Sequence, residues 1–110
     1  MNFQNKTSSK METSYAIKKI MTTLYFILNE EPQRNNTFNS SKEMHEKLEV
    51  YFQRFVKTDR KGNISDEILK HFTSAINEMV DMGIILYDTK DENSPVLIVK
   101  EKLIQQIAHI

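Results

Sequence analysis

The sequence predicts a mainly α-helical domain with a small antiparallel β-sheet: a helix-turn-helix followed by a β-hairpin and closed by an extra C-terminal helix. Three observations predict it. Between Ser65 and Val80 the apolar residues Ile68, Leu69, Phe72, Ala75, Ile76, Met79 and Val80 recur at helical spacing. At Gly83 the pattern switches abruptly to two short runs, IILYDT and PVLIVK, rich in β-branched residues and separated by the polar KDENS. Upstream, two further amphipathic stretches each begin with a serine followed three residues later by a glutamate, the spacing in which each side chain satisfies an orphan amide of a helix's first turn.

In chain order, residues 1–8 are polar, have almost nothing to bury and read as a disordered arm, leaving 9–110 as one domain. Ser9 and Glu12 open the first helix, whose stripe Ile17, Ile20, Met21, Leu24, Ile27 and Leu28 ends before Glu31 and Pro32, since proline cannot continue a helix. QRNNTFNSS is a loop, with a short strand at Asn36 to Phe38 that would give the hairpin a third edge. Ser40 and Glu43 cap a second helix with inward positions Met44, Leu48, Tyr51, Phe52, Phe55 and Val56, ending near Lys57. Thr58 to Asn63 is the turn. Ser65, Asp66 and Glu67 then place a capping hydroxyl and two carboxylates at the positive end of the third helix, and Gly83 ends it in the left-handed conformation that glycine adopts without strain. Ile84 to Thr89 and Val96 to Val99 are strands joined by a wing loop from Lys90 to Pro95. KEKLIQQIAHI closes the chain as a short helix with Leu103, Ile104, Ile107 and Ala108 on one face. This order is that of a winged helix. An isolated hairpin is marginal in water, so its apolar face must pack on the helices.

Composition narrows the function. The 110 residues include 15 Lys and Arg against 15 Asp and Glu, so any nucleic-acid contact must come from local clustering. Zero cysteines exclude a disulfide framework and a Cys-ligated zinc site. No apolar run approaches the roughly 18 residues that span a bilayer, and the N-terminus lacks a signal-peptide core, so a soluble intracellular protein without a membrane partner is expected. No enzymatic activity is expected: His45, His71 and His109 sit on separate helices, and no serine lies in a glycine-rich elbow. Two isolated glycines cannot cradle a phosphate, and Asp66-Glu67 and Asp91-Glu92 lack calcium-loop spacing. No cofactor, metal or small-molecule substrate is expected. The Met and aromatic stripes read as core filling.

The basic residues carry the remaining signal. In a helix-turn-helix the second of the paired helices enters the major groove, while the turn and wing meet phosphates. The candidate DNA-binding residues are therefore Arg54, Lys57, Arg60 and Lys61 around the turn, Lys70, His71, Ser74 and Asn77 on the third helix, and Lys90 on the wing. Against them stand Asp66, Glu67, Glu78 and Asp81 on the third helix and Asp88, Asp91 and Glu92 in the wing, which repel phosphate. The alternative is that these charges form a solvated face.

From Ser14 onward the chain resembles the C-terminal winged-helix domain of the initiator ATPases of DNA replication, the largest origin-recognition subunit and its licensing-factor relative. The resemblance lies in SYAIKKIMTTLYFIL, EMHEKLEVYFQRFVKT and FTSAINEMVDMGIILYDTKDENSPVLIVKEKLIQQIAHI. Its most telling pieces are the helix exit Met79-Val80-Asp81-Met82-Gly83-Ile84-Ile85 and the ending Gln106-Ile107-Ala108. It implies a domain that follows an ATPase module, helps to grip double-stranded origin DNA, and meets other replication-complex subunits. It also implies a nuclear location, or a cytoplasmic one in a prokaryotic source. No ATPase motif occurs in these residues, so a fragment or a truncated relative is expected. The alternatives are a protein-interaction winged helix with little DNA affinity, using the acidic wing or the first helix, and a small transcription regulator that dimerises through the first or closing helix.

Overall fold

The computed structural model describes residues 2–55, 64–88, 90–91 and 93–109, of which 2–12, 55, 64–66 and 109 by their backbone. The described elements are α1 (Asn2–Glu30), a 3-10 turn at Pro32–Arg34, β1 (Thr37–Phe38), α2 (Ser41–Phe55), α3 (Ile64–Leu69), α4 (Phe72–Asp81), β2 (Ile85–Leu86), β3 (Val96–Ile98) and α5 (Lys100–His109). The molecule is mainly helical, with a small three-stranded antiparallel sheet in a winged-helix-like arrangement closed by a C-terminal helix.

The first helix carries the stripe that its sequence demands. Ile17, Ile20, Met21, Leu24, Ile27 and Leu28 are all buried, and α1 packs against α2, α3, α4 and α5 in turn. It begins earlier than the Ser9–Glu12 pair suggests: the helix runs from Asn2, so that pair lies within it. Pro32 ends it as expected, and the left-handed residues Asn35 and Asn36, at φ 56° and 62°, turn the chain into β1. Asparagine tolerates that conformation better than most side chains. Ser40 caps α2, its Oγ accepting the Glu43 amide at 3.1 Å, while Glu43 Oε1 reaches back to the Asn39 amide at 2.8 Å, a reciprocal box displaced by one residue.

The expected third helix is two helices. α3 ends at Leu69, Lys70 and His71 form a tight turn in which the His71 amide bonds to the Ile68 carbonyl, and α4 starts at Phe72. Ile68 is buried on α3, and Ala75, Ile76 and Met79 are buried on α4, so both face the same core. At the far end Gly83 adopts φ +76°, with its amide on the Val80 carbonyl and the Ile84 amide on the Met79 carbonyl, the paired bonds of a Schellman stop.

The strands are shorter than the sequence predicts, and the loop between them runs from 87 to 95. β3 lies in the centre, with Phe38 opposite Val96, Thr37 and Leu86 both opposite Leu97, and Ile85 opposite Ile98. Alternation separates the faces: Phe38, Ile85, Val96 and Ile98 point into the core, while Leu86 and Leu97 point out. Among the described side chains of α5, Leu103 is fully buried and Ile107 partly so; Ile104 and Ala108, expected on the same inward face, are exposed.

Candidate nucleic-acid interface

Each candidate DNA contact can be placed from the helices upward, except Lys57, Arg60 and Lys61, which lie outside the described residues. Arg54 sits in the last turn of α2. Its Nη1 is 3.2 Å from Glu30 Oε1, and its guanidinium lies 4.8 Å from the centre of the Tyr51 ring. Arg54 therefore joins the end of α1 to the end of α2. Lys70 and His71 occupy the turn between α3 and α4, not the body of a helix, and Lys70 Nζ is 3.0 Å from Glu67 Oε1 on the preceding turn. His71 precedes the first residue of α4 without a side-chain capping bond. Exposed pairs of this kind contribute little to stability, so they do not prevent either cation from meeting a phosphate, but each carboxylate offsets the charge of its partner.

On α4, Ser74 and Asn77 are exposed, and helical spacing aligns them with Glu78 and Asp81. The outward face of α4 thus holds three small polar residues, with Thr73 beside Ser74 and Asn77, and two carboxylates. The helix contains no lysine or arginine at all.

The wing is built on its own acids. Asp88 Oδ1 accepts the Lys90 amide at 2.9 Å, Asp91 Oδ1 accepts the Asn93 amide at 3.0 Å, and Ser94 Oγ accepts the Asp88 amide at 3.2 Å. Short acceptors of this sort replace the backbone partners that a loop lacks. These aspartates hold the conformation of the loop through their acceptor oxygens. Lys90 is exposed at the same turn.

The structure brings together a group that the sequence does not single out. Ser41, Lys42 and His45 from the first turns of α2, Phe72 from the start of α4, and Asn93 from the wing line a shallow cavity of about 420 Å³. His45 meets Phe72 edge-on, ring centres 4.6 Å apart, with Nδ1 3.4 Å from Glu49 Oε1. The only signal for this group in the sequence is the helical phase of Ser41, Lys42 and His45, because its other walls come from distant residues. Among the described residues no three His, Asp or Glu side chains converge as metal ligands. No described helix is long and apolar enough to cross a membrane.

No family model matches the chain, and no curated protein or solved structure matches it either.

Proposed function

We propose that this chain is a non-catalytic winged-helix module of a DNA-replication initiator and that the face formed by α4 and the wing meets a protein neighbour in that assembly. The observation that carries the reading is the outward stripe of α4, where Glu78 and Asp81 accompany Ser74 and Asn77 and no cation is present. A helix set in the major groove lies between two phosphate walls, and affinity there comes largely from counterions released by lysine and arginine. α4 supplies none, and Asp88 and Asp91 add negative charge beside it. The same surface suits a polypeptide partner, where carboxylates and amides form directed hydrogen bonds.

A second reading, weak binding of double-stranded DNA, is favoured by one feature: Arg54, Lys57, Arg60 and Lys61 are concentrated within eight consecutive residues of the sequence. Two measurements separate the readings. Fluorescence anisotropy with labelled duplex at about 50 mM and about 200 mM salt tests the DNA reading, which expects low-salt binding that falls steeply with salt and is lost when Arg60 and Lys61 are both changed to Glu. The protein reading expects no dependence on that double change. A photocrosslinker attached at Asn77→Cys, in the reconstituted initiator assembly, is expected to capture a neighbouring subunit; capture of DNA alone would overturn the protein reading.

A further inference from the structure

The outer face of the sheet has no partner within the described residues. Leu86 is 51% exposed and Leu97 41% exposed. A single exposed leucine is ordinary, but these two lie directly opposite each other on β2 and β3, so their side chains are neighbours across the ladder. Thr37 extends the same row onto β1. Just past the end of β2, Tyr87 is partly buried against the core and the chain enters the loop at Asp88, which is exposed. The apolar row therefore runs into the acidic turn, where Asp88 and Asp91 are held in place by the amides of Lys90 and Asn93. Lys90 is the turn's only cation, so acids outnumber it.

We infer that this row and turn form a docking surface for a basic polypeptide segment carrying apolar side chains on one face, with Leu86 and Leu97 covered by its apolar residues and Asp88 and Asp91 facing its lysines or arginines. The inference rests on the protein-interaction reading and names the chemistry of the partner. Charge complementarity selects the occupant. An acidic segment or a nucleic-acid backbone would be repelled by the same turn that attracts lysine. An uncharged apolar segment would cover the leucines and leave the carboxylates uncompensated.

The test uses the full chain and two fluorescein-labelled peptides, one of alternating leucine and lysine and one with glutamate in place of every lysine. The lysine peptide is expected to bind about tenfold or more tightly than the glutamate peptide, and to weaken as salt is raised. Changing Leu86 and Leu97 together to Ser should weaken binding about tenfold. Changing Asp88 and Asp91 together to Asn keeps the oxygen that accepts each loop amide and removes both charges; it should weaken binding several-fold and flatten its salt dependence. Val50→Ser, an exposed apolar position on α2, should change nothing. Equal affinity for the two peptides, or unchanged affinity in both double variants, overturns the inference. Capture of a subunit at Asn77 with no binding of the lysine peptide overturns the sheet surface alone. Peptide binding without capture at Asn77 supports the sheet surface and removes α4 from the contact.

Discussion

Glu31, the last residue before Pro32, gathers side chains from two other segments, the 3-10 turn and α2. Arg34 Nε is 2.6 Å from its Oε1, Lys47 Nζ lies 3.3 Å from its Oε2, and the Tyr51 hydroxyl lies 3.1 Å from that same oxygen and 2.9 Å from Glu30 Oε1. Arg34 also reaches Glu43 Oε1 at 3.3 Å and lies 4.8 Å from the centre of the Phe38 ring, which ties the end of α1 to β1 and α2. Burial alone would raise the Glu31 carboxyl, but the hydrogen bonds from Arg34, Tyr51 and Lys47, with the Arg34 charge, hold it below its ordinary value of 4.5. Burial and the two acceptor carboxylates push the Tyr51 hydroxyl up to about 12. The signs then follow by linkage. Glu31 stabilises the fold fully above pH 4.5, and its contribution is lost as pH falls through the lowered value. Glu31→Gln should therefore cost about 1–2 kcal/mol at neutral pH in urea denaturation, a difference that shrinks in acid. Tyr51 stabilises fully below pH 10.0 and loses that contribution as pH rises towards about 12, so Tyr51→Phe should flatten the alkaline part of the pH profile by that one contribution. None of this network was legible in the sequence, where Glu31 only marks the helix end. Its partners Lys47 and Tyr51 come from another helix, and such pairs leave no periodic trace.

The helices were legible wherever one face is buried, because burial imposes a period on the residues. The stripe of α1, the inward positions Met44, Leu48, Tyr51 and Phe52 of α2, the cap at Ser40 and the stop at Gly83 all follow from local pattern, while the Phe55 side chain and Val56 lie outside the described residues. The break between α3 and α4 does not. His71 bonds to Ile68 in a tight turn, and Ala75 then resumes the helical bond to His71, so the inward phase from Ile68 to Ala75 survives the interruption. Neither glycine nor proline marks the site. The reading of α5 erred in the other direction: Ile104 and Ala108 fit a helical stripe, but α5 meets its neighbours along a narrow face and, among its described side chains, buries only Leu103 fully. At Gly83 the element makes a sharp prediction. A Cβ there would come 2.8 Å from Lys102 Nζ, the movable end of a flexible side chain, so the backbone decides the outcome. Gly83→Ala forces a side chain into the left-handed region and should destabilise by about 1–2 kcal/mol, measured by thermal or denaturant unfolding. Gly83→Asn should cost less, because asparagine tolerates that region better.

At the scale of the whole molecule, the sequence draws attention to the helix-to-hairpin transition after Ser65, whereas the structure is centred on α1. Its 29 residues span about 43 Å at the ordinary helical rise, against a long molecular axis of 46 Å, and every other helix rests on it. Periodicity identifies which residues of α1 are inward but cannot say how many partners share that face. Leu24→Ala, at a completely buried position of α1, should cost about 2–5 kcal/mol and lower the denaturant midpoint sharply. Ile104→Ser, at an exposed position of α5, should stay within about 0.5 kcal/mol of the parent in the same experiment. The packing of α5 on α1 also orders events during synthesis. Among these helices α1 is made before its four helical neighbours and α5 after the others, so a growing chain carries a stripe of isoleucine, leucine and methionine that stays incompletely covered until residues 100–109 have left the ribosome. Local helices form early, but this long-range closure must wait, and the waiting interval is when the nascent chain is most dependent on chaperones.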